Sequence, residues 1–220
     1  MSQPRKKREF FNYFGEIEKK PVHIFASMRD FMFRGLSKWL FRHNVRPKQV
    51  TLLSFLVQLV FFPLFFSLGW WPQALTALLL HIFLDSLDGS LARTGQVASQ
   101  SGALADMLND VSGMAIVGLA VIFFGHENHP GLVTAYIILY LYMTLFLVAL
   151  NIFGRQFPYI IRTKTIFFGF VFLKYWAGLD YMDIFLIVSI IYMVAQSAWA
   201  MARLFKTIDE IDMPENQSED

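Results

Sequence analysis

The sequence contains no cysteine. That excludes disulfides and thiolate metal sites, and it leaves the redox compartment unread. Charge is also scarce. Charged residues make up 16% of the 220 residues, against roughly 25% in soluble domains. Hydrophobic residues reach 55%, with 24 Phe among them. A soluble domain with an ordinary core is excluded, and a membrane protein is expected. Bases are missing from the last fourteen residues, which hold six acids, whereas twelve of the nineteen Lys and Arg precede residue 49. The basic start, Arg5-Lys6-Lys7-Arg8, runs into a mixed polar stretch, so no signal peptide is expected. Nothing points to a nucleic-acid partner.

What is present is a series of long apolar runs. Residues 24–40 place Ile24, Phe25, Met28, Phe31, Met32, Leu36, Trp39 and Leu40 at helical spacing, with Arg29, Asp30, Arg34 and Lys38 on other faces. This predicts an amphipathic helix in the membrane interface. Pro47 marks the start of a first span, residues 50–68, which Gly69, Trp70-Trp71 and Pro72 close with an aromatic anchor. The second span starts near Pro72. It has only fourteen uncharged residues before Asp85, so it crosses only if the helix continues through Arg93. The third mirrors it, acids first and then Val111–Phe124. Residues 133–153, 165–179 and 184–202 supply three more. The fold class expected is therefore all-α and polytopic, with six transmembrane helices preceded by an interfacial amphipathic helix. The chain divides into a basic N-terminal arm (1–23), a membrane domain (24–206) and an acidic disordered tail (207–220). With six spans, Arg93, Arg155, Arg162, Lys164, Arg203 and Lys206 collect on the side of both termini. The positive-inside rule makes that side cytoplasmic. Lys174, at the other side, is expected to snorkel to the interface.

Charges beside apolar spans are costly and tend to have work to do. Here they read Asp85-Ser-Leu-Asp88-Gly89-Ser-Leu-Ala92-Arg93, then eight residues, then Gly102-Ala-Leu-Ala-Asp106-Met-Leu-Asn-Asp110. On a helix, Asp85, Asp88, Gly89, Ala92 and Arg93 fall within about 140°, and Gly102, Asp106 and Asp110 within roughly 80°. Two antiparallel helices can thus face four carboxylates at one another. Their natural counterions are hard divalent cations, Mg²⁺, Mn²⁺ or Ca²⁺, and four carboxylates suffice for two ions. Gly89, Ala92 and Gly102 leave room beside the acids, and Arg93 suits a phosphate. The set fits a pyrophosphate ligand at the membrane surface. A solvated helix end and an acid-lined proton or cation path are the competing readings, but neither needs the small residues and Arg93 at these offsets.

The spacing resembles that of the CDP-alcohol phosphatidyltransferases, and Asp85, Asp88, Gly89, Ala92, Arg93, Gly102, Asp106 and Asp110 match the pattern without departure. The resemblance covers roughly residues 24–205. It implies a multi-pass enzyme of phospholipid synthesis, in the plasma or inner membrane if bacterial, with its active site cytoplasmic. Asp85, Asp88, Asp106 and Asp110 would bind two divalent ions, Mg²⁺ or Mn²⁺. Asp110 would also be the catalytic base. Gly89, Ala92 and Gly102 would admit the cytidine nucleotide, with Arg93 in support. An alcohol would attack the β-phosphorus of a CDP-activated lipid, most simply CDP-diacylglycerol, and release CMP. A homodimer is implied too. Pro47-Lys48-Gln49-Val50-Thr51 resembles the Pro-Asn-x-x-Thr start of the first span in many members, with Lys48 replacing Asn. Arg155, Arg162 and Lys164 are either acceptor-phosphate candidates, which favours glycerol 3-phosphate, or ordinary cytoplasmic-loop charge; Asp110-Val111-Ser112 looks more like serine-using members, and inositol or its phosphate stays open. Transfer from CDP-choline or CDP-ethanolamine to diacylglycerol is the alternative. His81 is expected to be a hydrogen-bonded packing residue, and His126 and His129 loop residues.

Overall fold

The computed structural model describes residues 19–95, 100–153 and 163–212, and for residues 19–30, 100, 101, 103, 151, 211 and 212 the backbone alone. These residues form eight α-helices and no strand. Helix α1 (Lys19–Arg42) starts five residues before the expected amphipathic segment. Its described half exposes Phe31, Met32 and Trp39 along with Arg34, Lys38 and Arg42. The opposite face buries Ser37, whose hydroxyl donates to Ser90 at 3.2 Å, and sets Phe33 edge-on against Phe83. Asn44, at φ 59°, turns the chain after α1. A short polar side chain tolerates that left-handed backbone better than a bulky one would.

The first membrane-length segment, Pro47–Ser67, comprises α2 (Pro47–Leu56), a π-helical turn (Val57–Phe61) and α3 (Phe62–Ser67). Pro47 opens it, where a missing N–H costs nothing. The Gln49 side chain caps it by accepting the Arg46 N–H at 2.8 Å. The π turn has a cause in Pro63. That residue lacks an N–H and its ring crowds the carbonyl four residues back, so the wider turn relieves an interruption that would otherwise kink the helix.

Helix α4 (Trp71–Thr94) is the central element and packs against α1, α2, α3 and α7. It runs unbroken through Asp85 and Asp88, as the short second apolar run requires. Helix α5 (Gln100–Phe124) carries Asp106 and Asp110. It is followed by α6 (Pro130–Ile152), α7 (Thr163–Ala177) and α8 (Met182–Asp212). The main core runs from Val50 and Phe62 through Leu75, Leu78 and Leu91 to Met114, Val121, Phe167 and Leu186. Phe167 stacks on Tyr136 at 5.2 Å, and Phe170 on Phe185 at 4.6 Å, joining α7 to α6 and α8.

Among the described residues five helical segments are long and apolar enough to cross a membrane, one fewer than the sequence predicts. The chain is an integral membrane protein. The segment that falls short is α7, whose 15 residues reach about 22 Å against a hydrocarbon thickness of about 30 Å. The tail boundary also shifts, because residues 207–212 continue α8 as helix. Most of the N-terminal arm, and the chain beyond Asp212, lie outside the described residues.

Candidate active site

Asp85 and Asp88 stand three residues apart on α4, and Asp106 and Asp110 four apart on α5. Helical spacing therefore gives each pair one face. The two helices touch each other little; the α2–α3 segment packs on both and holds them side by side. Asn109 links the pairs: its Nδ2 donates to Asp85 Oδ1 at 3.2 Å, and its own side chain is buried. Asp88 is buried and accepts the Thr51 hydroxyl at 2.6 Å. Asp85 and Asp110 are half-buried, and Asp106 is exposed. The charges of Asp85, Asp110 and Asp88 all act on Asp106, so the four carboxylates form one electrostatic group.

Lys164, the second residue of α7, forms an ion pair with Asp110. Only 7% of it is exposed. A lysine so buried needs an anion, and Asp110 supplies it. The same ammonium lies 5.6 Å from the Phe168 ring centre, and the His81 ring meets that ring edge-on at 6.2 Å. Lys164 and His81 thus both contact Phe168. Of the acceptor-site candidates, Lys164 reaches the cluster; Arg155 and Arg162 lie outside the described residues. Gly89, Ala92 and Gly102 are half-buried, and Arg93 is exposed in the last turn of α4. His126 and His129 sit in the loop after α5, where His129 Nδ1 is 2.9 Å from Asp183.

Thr51, which matches the Thr of the Pro-Asn-x-x-Thr pattern, recurs with Ser54 and Gln58 at i, i+3 and i+7 in the first span, and the last two are functional candidates that the motif does not signal. Ser54 bonds His81 Nδ1 at 2.9 Å, so His81 is the packing residue expected of it, and among the described residues its Nε2 has no partner. Gln58 is buried on the π turn against Gly113 of α5, and neither amide atom is paired among the described residues. A Cβ on Gly113 would fall on that amide. The available signal was a stripe of polar residues at helical period inside an otherwise apolar span. Asn109, one position before a motif acid, is a third residue that the motif does not signal.

The family model of CDP-alcohol phosphatidyltransferase matches residues 44–204, which include the whole eight-position motif, Lys164 and Thr51. The chain belongs to the CDP-alcohol phosphatidyltransferase family. It is similar to Inner membrane protein YnjF of Escherichia coli (strain K12), with 34% identity over 86 residues. That match covers 39% of this chain and 41% of that protein, so the chain spans about two fifths of the curated relative's length. No solved structure matches the chain.

Membership of the CDP-alcohol phosphatidyltransferase family implies divalent metal. The donor chemistry fits: four carboxylates in one electrostatic group offer hard oxygens. Asn109 and Thr51 each engage one oxygen of Asp85 and Asp88, the kind of orienting contact that metal-ligating carboxylates require. Among the described residues no three His, Asp or Glu side chains already converge on one ion.

Proposed function

We propose that this chain is a membrane enzyme that transfers a phosphatidyl group from CDP-diacylglycerol to the hydroxyl of a polar alcohol, with release of CMP. The observation that carries the reading is the Lys164–Asp110 pair set within the acidic motif. A buried cation beside the candidate base gives the site two functions, anion capture and proton removal. Asp85, Asp88, Asp106 and Asp110 would hold two Mg²⁺ or Mn²⁺ ions, which when bound offset charge on the pyrophosphate. Gly89, Ala92 and Gly102 leave space for the nucleotide, and Arg93 adds positive charge at the cluster's mouth. Asp110 takes the hydroxyl proton of the acceptor. The acceptor oxygen forms a bond to the β-phosphorus, and the bond from that phosphorus to CMP breaks.

Lys164 favours a phosphorylated acceptor, glycerol 3-phosphate ahead of inositol phosphate. A second anion beside Asp110 would draw the ammonium toward itself and free a carboxylate oxygen to receive the proton. The topology we propose has six spans with α7 as the short fifth, and α1 in the interface. The apolar residues exposed on α1 beside its cations support that placement. The basic connections in the sequence support a cytoplasmic side for both termini and the site. A homodimer is part of the same reading.

The test is CMP release by purified protein from CDP-diacylglycerol with Mg²⁺ or Mn²⁺, over a panel of acceptors, with lipid products identified by mass. We expect a phosphatidyl product with glycerol 3-phosphate and its loss in Asp85→Asn. No CMP from wild type with any acceptor, combined with Asp106-dependent ion flux in liposomes, would instead establish a conducting path.

A further inference from the structure

Helix α7 is short and carries two lysines ten residues apart, both nearly buried. Lys164 at one end meets Asp110. Lys174 at the other bridges two carboxylates, Glu127 at 2.8 Å and Asp180 at 2.9 Å. It does not snorkel into open water: its side chain is 13% exposed, and that of Glu127 only 2%. Glu127 lies in the loop just past the end of α5, so both lysines hold α7 to the α5 chain. Tyr175 reinforces the far end. Its hydroxyl donates to Gly125 O at 2.6 Å, and its ring stacks on Trp71 and meets Phe66 edge-on, both at 4.9 Å. The lengths differ along the two helices. The two lysines of α7 are about 15 Å apart along its axis, whereas α5 rises about 21 Å from Asp110 to its last residue. The reach of the two lysine side chains and of the Glu127 side chain spans the difference. The hydrophobic length of a helix too short for the bilayer does not by itself set its depth; here an ion pair ties each end.

We propose that Lys174 is a positioning residue for the acceptor site: its bridge between Glu127 and Asp180 fixes how far α7 reaches toward the acidic cluster, and so holds Lys164 on Asp110. The link is a rigid helix tied at both ends, not a contact with substrate. The inference rests on the reading of Lys164 as the acceptor's anion partner.

Lys174→Met alone strands a buried Glu127, so the working variant is Lys174→Met with Glu127→Gln, and Lys174→Arg is the conservative control. Two readouts are taken from detergent-purified protein. The first is kinetic. The double variant should raise the KM for glycerol 3-phosphate by roughly tenfold, as for a coupled site of intermediate strength, with the KM for CDP-diacylglycerol unchanged. Lys174→Arg should restore it. The second is independent of any acceptor. The chain has no cysteine, so Thr165→Cys, exposed and next to Lys164, reports the position of α7 through its rate of maleimide labelling. That rate should change several-fold in the double variant. Asp180→Asn, which cuts only the more exposed arm of the bridge, should move both readouts in the same direction by less, and it decides the matter if the double variant does not fold. A folded variant in which either readout stays at its wild-type value overturns the proposal. If wild-type protein releases no CMP with a phosphorylated acceptor, the reading of the function fails, and with it the assignment of Lys174 to an acceptor site, whatever the labelling shows.

Discussion

Lys164→Met removes the cation from Asp110 and from the Phe168 ring while keeping most of the aliphatic stem. Two consequences differ in size. For stability, breaking a fully buried pair costs about 3–5 kcal/mol. Asp110, however, has 26% of its side chain exposed, so water and any bound cation take over part of the lysine's role, and about 1–2 kcal/mol is expected. In a chain of this length that lowers the thermal midpoint by about 2–8 °C. For function, a hydrogen bond to a charged group is worth about 1.5–3 kcal/mol, or roughly one to two decades in affinity. The assay is initial-rate CMP release with CDP-diacylglycerol held saturating and glycerol 3-phosphate varied. The KM for glycerol 3-phosphate should rise about 10- to 100-fold, while the KM for CDP-diacylglycerol stays within about twofold. Lys164→Arg should recover part of the loss, because the charge persists but the planar fork fits the buried position less well. An unchanged acceptor KM in folded Lys164→Met protein would refute the reasoning, and would assign Lys164 to holding α7 against α5 only.

Three further outcomes are expected. Asn109→Leu keeps the side-chain volume but removes the donor to Asp85, so half-maximal activity should need about 10- to 100-fold more Mg²⁺; an unchanged Mg²⁺ titration would show that Asn109 does not orient a ligand. Gly125→Ala places a Cβ against the Val121 carbonyl and the Tyr175 hydroxyl, and should lower stability by about 1–3 kcal/mol, read as a lower thermal midpoint in detergent. Burial works against the charge of Asp180, but the hydrogen bonds from Lys174 and the Met182 amide and the charge of Lys174 hold its carboxyl below the usual range. Its stabilising contribution should therefore be complete above about pH 3.9, the ordinary aspartate value, and fade as pH falls below it. The midpoint-versus-pH slope below pH 4 should flatten in Asp180→Asn.

Much of the membrane helix pattern is legible in the sequence because the bilayer enforces it. A backbone in hydrocarbon must satisfy its own hydrogen bonds, so long uncharged runs become helices and the polar joints between them mark the turns. The continuation of α4 through its acids followed from length alone, since fourteen uncharged residues cannot cross. The fifth span was less legible. Its hydrophobic stretch is interrupted by Lys174, and sequence spacing does not say whether a lysine there reaches water or turns back to Glu127 and Asp180. The acid motif was legible because it is local: residues three and four apart share a helix face wherever the helix lies. Asn109, Ser54 and Gln58 were not, because a neutral polar residue in an apolar span has no meaning until its neighbour is known.

The sequence by itself determined the helices, the membrane, and which face of α4 and of α5 carries the carboxylates, since each depends on periodicity and hydrophobicity along one segment. Only the tertiary structure decided what meets those faces. Thr51 reaches Asp88 across 37 positions, Asn109 reaches Asp85 across 24, and Lys164 reaches Asp110 across 54. Such contacts depend on how separate helices pack, and no local spacing encodes that. The same packing ties α7 at both ends, and makes a helix too short for the bilayer a fixed part of the candidate site.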